Sequence, residues 1–139
     1  EPMTVSELRN QVLLFKEEKE LELIVVDDLL ALCGGVGSRY NEVLSSLREL
    51  AKETDTVVVV AAEIDGAFGF EVSLCDVQKM GINERLADTI MFLGRGGEAA
   101  CSDVKVSVAR QKGGPSGSVT LEFDERCLRF DNKLVCDED

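Results

Sequence analysis

The chain has 139 residues, 45% of them hydrophobic, no histidine and a formal net charge of −12. That length suits one domain with a real core, and no apolar run nears the roughly 18 residues needed to cross a membrane. The missing histidine excludes triads built on it, five cysteines without C-x-x-C spacing argue against zinc, and the acidic balance opposes unaided binding to a phosphate backbone.

Thr4-Val5-Ser6-Glu7 is a capping-box pattern, and Val5, Leu8, Val12 and Phe15 recur at helical spacing. A helix over 5–20 is predicted, with Lys16 to Glu20 as its solvated end. A strand follows at 22–27. Cys33-Gly34-Gly35-Val36-Gly37-Ser38 is glycine-rich but has no lysine, so it reads as a loop and not as a phosphate cradle. Tyr40, Val43, Leu44, Leu47, Leu50 and Ala51 trace one face of a second helix, with Ser38 as its expected cap. Thr56 to Ala62 is a second β-branched strand, closed by Glu63. Strand–helix–strand order predicts parallel pairing.

From Ile64 to Arg85 the periodicity fades into a long loop with one helical turn, in which Phe68 and Phe70 read as anchors on the core. Thr89 to Leu93 reads as a third buried strand. Strict alternation then begins: Val104, Val106 and Val108 face one way, and Val119, Leu121 and Phe123 repeat the pattern before Leu128 and Phe130. With turns at Gly113 to Gly117 and Asp124-Glu125, the C-terminal part is predicted to be a three-stranded antiparallel meander. Cys136 to Asp139 reads as a frayed acidic tail. Cys33, Cys75, Cys101, Cys127 and Cys136 are expected to be reduced and mostly buried, in a soluble, cytoplasmic protein.

The chemistry points to Leu23-Ile24-Val25-Val26-Asp27-Asp28, an apolar run that ends in two carboxylates. An acid at the C-terminal end of a parallel strand stands at the rim where ligands of open α/β sheets bind. In phosphate-handling folds such an acid holds Mg²⁺ directly or through water. The other half of that machinery, G-x-x-x-x-G-K-[ST], occurs nowhere in the chain. Asp28 points the other way along the strand and reads as a cap or turn former.

Four stretches in this order resemble the C-terminal part of the RecA-like motor domain of DnaB-family replicative helicases: Leu23 to Asp27, Leu47 to Glu53, Ala87 to Leu93, and Arg110-Gln111-Lys112-Gly113-Gly114-Pro115-Ser116-Gly117. The resemblance runs from about Leu8 to Asn132. It implies a partial RecA-like P-loop NTPase fold in a single domain, 1–139, that lacks the Walker A segment. Parallel strands with flanking helices would precede the antiparallel meander. It also implies ATP and Mg²⁺ as the intact family's ligands, a hexameric homo-oligomer and DNA bound only by that assembly.

Residue by residue, the resemblance makes Asp27 the Walker B acid of the magnesium site and puts Glu63 where a glutamine senses the γ-phosphate. Arg110 and Lys112 fall where a lysine and an arginine reach the neighbouring subunit's nucleotide. The chain departs from the family at Asp28 (usually tyrosine), Leu30 (usually glutamine) and Glu63, and in the order of its two basic residues. Asp76 to Gly81 lacks the family's arginine and glutamate. The loop from Ile64 to Lys79, near the DNA channel in the family, sets Asp65, Glu71 and Asp76 against a single lysine.

Plainer readings stand beside these: Glu63 as a strand terminator, and Arg110 with Lys112 as the charge that protects an edge strand. The expectation is a fragment or degenerate relative of an ATP-dependent helicase motor, inactive by itself. The alternative is a non-catalytic helicase-like module that binds a helicase, a loader or itself.

Overall fold

The structure, a computed structural model, describes residues 3–64, 72–95 and 102–133. Its chain divides into two compact units, residues 1–65 with 77–87 and residues 66–76 with 88–139. Phe68, Phe70 and the acidic tail at 136–139 lie outside the described residues. No helix among the described residues is long and apolar enough to cross a membrane.

The first unit opens with helix α1, Val5–Glu18. The Thr4 hydroxyl accepts from the Glu7 N–H at 3.2 Å and the Glu7 carboxylate accepts from the Thr4 N–H at 2.7 Å, so the capping box closes in both directions. Those bonds hold the Glu7 carboxyl below the usual range. Strand β1 (Leu23–Val26) pairs in parallel with β2 (Val57–Val60), in the register Leu23↔Val57 to Val26↔Val60. Between them lie a short helix α2 (Leu29–Leu32), a 3₁₀ turn (Gly37–Arg39) and helix α3 (Tyr40–Thr54).

Two details differ from expectation. Helix α2 was not predicted. Ser38 is not the cap of α3, because it lies inside the 3₁₀ turn and Arg39 takes the cap position without a side-chain bond. At the far end of α3, Asp55 adopts φ +50 and its N–H donates to the Ala51 carbonyl. Lys16 of α1 donates to the Thr54 carbonyl, so a side chain from one helix satisfies the open end of the other.

The core of this unit is Val12, Ile24, Val26, Leu29, Leu32, Cys33, Val43, Leu47 and Leu50, all buried. Burying each large aliphatic group is worth about 1.5–3 kcal/mol. Burial also pushes the Cys33 thiol pKa up, whereas Cys75 and Cys127 are exposed, against the expectation of mostly buried thiols.

Helix α4 (Leu74–Lys79) spans the division between the units, and the 3₁₀ turn Glu84–Leu86 closes the first. The second unit is a four-stranded antiparallel sheet in the order β3-β4-β5-β6: Thr89–Arg95, Asp103–Gln111, Gly117–Asp124 and Arg129–Asn132. The meander therefore has four strands, because Thr89–Arg95 joins it antiparallel to β4. Nor is β3 buried on both faces: Phe92 is 6% exposed, but Met91 and Leu93 are 56% and 63% exposed.

Candidate functional site

The parallel pair ends in a rim whose backbone is closely tied. The Ala61 N–H donates to the Val26 carbonyl at 2.9 Å, and the Leu29 N–H donates to the Ala61 carbonyl at 2.9 Å. The Asp27–Asp28 junction, a cis peptide, thus sits between two hydrogen bonds to one residue of the neighbouring segment. Alternation along β1 buries Ile24 and Val26 and turns Leu23, Val25 and Asp27 outward.

Asp28 has a different task. Its carboxylate accepts from the Ala31 N–H at 2.7 Å and caps α2, as its reading as a cap former expects. The Asp27 carboxylate is exposed and makes no hydrogen bond or ion pair among the described residues. Glu63 is also exposed, two residues past Ala61 in the irregular segment that leaves β2.

The two acids mark the same end of the sheet, one beyond each strand. No cluster of three or more metal-binding side chains occurs among the described residues. A magnesium ion suits that donor set, because Mg²⁺ keeps several waters and takes only one or two carboxylates beside substrate phosphates. The glycines at 34 and 35, with φ +68 and +78, turn the chain off α2, their N–H groups donating to the Ala31 and Leu30 carbonyls.

The basic pair is placed by a fault in the sheet of the second unit. The β3–β4 register runs Phe92↔Ser107 and Met91↔Val108, then shifts so that Ile90 faces Arg110 and Ala109 is the extra residue. Strict alternation would have set Arg110 with Val104, Val106 and Val108 on the apolar face. The bulge moves it to the Ile90 face, which is a recognised way of re-aiming a side chain. Arg110 is half-buried and engaged with its surroundings. Lys112 is exposed at the start of the turn, its N–H donating to the Asp88 carbonyl at 2.9 Å. Gly113 at φ +78 follows, and a side chain at Gly114 would come within 2.6 Å of Gln111. Of the two, Gly113 is the one the turn requires, because the contact at 114 is with the movable end of the exposed Gln111 side chain.

Sequence reasoning missed the bulge, and it missed Arg95. That guanidinium lies 5.4 Å from the Phe123 ring centroid and pairs with Glu125, while the Phe123 and Phe130 rings pack at 4.7 Å. The register, which sets Arg95 on the face of Val104 and Leu121, would have been needed to see it.

The DnaB-like helicase C-terminal domain model matches residues 1–132. The replicative DNA helicase DnaB of Treponema pallidum is 30% identical over 119 residues, 81% of this chain and 27% of that protein. DnaB of Geobacillus stearothermophilus is 27% identical, over 92% of this chain and 32% of its own length. The chain thus spans about a third or less of these relatives. Among solved structures, a DnaB-like replicative helicase studied with its primase interactions superposes at TM-score 0.77 and 22% identity, covering 94% of this chain and 36% of that one. A second solved structure, an isolated ATPase domain, superposes at TM-score 0.71 and 21% identity, covering 94% of this chain and 51% of that domain. These neighbours share a RecA-like α/β fold with the chain, and the match over residues 1–132 makes it a member of the DnaB-like helicase C-terminal domain family.

Proposed function

We propose that this chain forms the magnesium-side wall and the trans-acting basic edge of an ATP-driven replicative helicase motor. The observation that carries this reading is Asp27: an exposed carboxylate with no partner among the described residues, fixed at the end of a parallel strand by two bonds to Ala61. Bound Mg²⁺ would neutralise charge on the triphosphate of ATP. Asp27 would orient water on that ion, and the Asp28 cap would keep the rim in place. Glu63, one strand over, would stand near the γ-phosphate. Arg110, aimed by the bulge, and Lys112 would reach the nucleotide of an adjacent subunit in a homo-oligomeric ring, a hexamer on this reading.

Unwinding of DNA then belongs to the assembled cytoplasmic motor and not to these residues alone. Calorimetry with MgATP on the 139-residue chain should give no binding, while a polypeptide that also carries a phosphate-binding loop should bind. Tight binding by the short chain would contradict the reading. A second reading, a non-catalytic module that binds a helicase or a loader, draws support from Glu63. A carboxylate beside triphosphate repels it where a neutral amide would not. If a Glu63→Gln variant of the loop-bearing polypeptide gains no ATPase activity and the parent has none, the second reading is the better one.

A further inference from the structure

Strand β6 is the outer strand of the four-stranded sheet, and among the described residues it pairs only with β5. One hydrogen bond fixes which way its backbone groups point. The Phe123 N–H donates to the Ser102 carbonyl at 2.8 Å, so the backbone groups of Phe123 face the β4 side. These groups alternate along an antiparallel strand, so Glu122 and Asp124 bond across to Asp131 and Arg129 of β6. The same alternation turns the N–H and C=O of Phe130 away from β5, out of the edge of the sheet. Neither group has a partner among the described residues.

An open edge is ordinarily guarded by charge, lysine above all, that repels a second strand. Here the charges are of mixed sign. Arg129 and Asp131 stand on one face, paired with each other at 2.8 Å and with side chains 66% and 48% exposed. Phe130 stands on the opposite face, 46% exposed. This strip is its own complement. A second strand of the same sequence, turned antiparallel about Phe130, sets Arg129 opposite Asp131 and Asp131 opposite Arg129. The two Phe130 residues then exchange both backbone hydrogen bonds. The ion pairs fall at the non-hydrogen-bonded positions, where side chains approach most closely. A slip in either direction puts Arg129 on Arg129 or Asp131 on Asp131, which is destabilising. The net charge of −12 opposes unspecific association, whereas the two charges of the strip cancel.

We propose that β6 is a pairing edge for a second copy of this chain, joined antiparallel about Phe130 into one continuous sheet. The closed two-fold arrangement uses the same residues from both copies. It involves none of the residues of the Asp27 rim or of the basic pair. The contact is small, so the association is weak and reversible.

Sedimentation of the 139-residue chain over a rising concentration series tests this, with Arg129→Asp, Asp131→Arg and an equal mixture of the two variants. The parent should form dimers by about 1 mM, an affinity within reach of a few hydrogen bonds and exposed ion pairs. Each variant sets like charges against like and should dimerise at least about tenfold more weakly. In the mixture, aspartates face arginines again, and a heterodimer at least as strong as the parent's dimer should return. Each variant loses only an exposed ion pair within the monomer and should melt within roughly 3 °C of the parent.

Amide exchange in the parent reads the same contact without any substitution. The Phe130 amide should slow at least about threefold as the dimer fills, while those of Arg129 and Asp131, directed at β5, should not change. A parent that stays monomeric, or variants that dimerise as the parent does, would overturn the proposal. So would monomeric variants whose mixture stays monomeric, or a Phe130 amide that exchanges at one rate at every concentration.

Discussion

The two units use apolar residues in opposite ways. In the second, β4 and β5 alternate, and the register gathers Met91, Leu93, Val104, Val106, Val108, Val119 and Leu121 on one face of an antiparallel sheet. In the first, Leu23–Val26 and Val57–Val60 are apolar at every position, and only the inward half of them packs under helices. Alternation sorts residues onto two faces but does not say which is covered: Met91, Leu93 and Val119 on the apolar face are 56%, 63% and 52% exposed, whereas Phe92 on the other is 6% exposed. An all-apolar strand states only that something is meant to cover both faces. The rim acids follow the same division, because Asp27 and Glu63 end runs that carry no face information, whereas Arg110 leaves an alternating strand through a bulge.

The strongest way to separate the units is to open each core. Leu47→Ala, at a side chain 2% exposed, should cost about 2–5 kcal/mol. Phe92→Ala in the second unit should cost about 3–5 kcal/mol. Amide exchange resolved by residue will show whether each loss begins in the unit that was changed. A uniform loss of protection from either substitution would merge the two units into one cooperative body.

A smaller effect is expected at the rim. Asp28→Ala removes the α2 cap and should cost about 1 kcal/mol, and Asp28→Ser should restore most of it. Equal melting of the alanine and serine variants would show that the cap contributes nothing.

The smallest effect is at the start of α1. Its capping box holds the Glu7 carboxyl below its ordinary value of 4.5, so the ionised form is the one the fold favours. That contribution is complete above pH 4.5 and is lost as pH falls through the lower, folded value. Protection of the first turn of α1 should therefore fall on acidification below that point in the parent and show no such step in Glu7→Gln.

Much of the fold was legible. The capping box at Thr4, the parallel pairing of the two β-branched runs and the alternating strands after residue 102 all follow from local pattern, because each is a repeat or a cap that a short window contains. Helix α2 was not legible. It has four residues, and what holds it is the Asp28 cap together with a bond to Ala61, more than thirty positions away. The buried reading of β3 failed for a similar reason: Thr89-Ile90-Met91-Phe92-Leu93 is apolar on both faces, and pairing with β4 leaves Met91 and Leu93 exposed.

At the candidate site, the ends of the runs put Asp27 and Glu63 just beyond β1 and β2, which is where they lie. The aim of Arg110 depends on Ala109 being the extra residue in a bulge, which is a property of pairing and not of any window of sequence.

Mg²⁺-dependent ATP affinity of the loop-bearing polypeptide, with Asp27→Asn measured against the parent, decides whether Asp27 serves a magnesium–triphosphate pocket. Asp27 is exposed and without a partner among the described residues, so the substitution should leave the melting temperature unchanged while weakening MgATP at least about tenfold. An asparagine variant that binds MgATP as tightly as its parent would contradict the account.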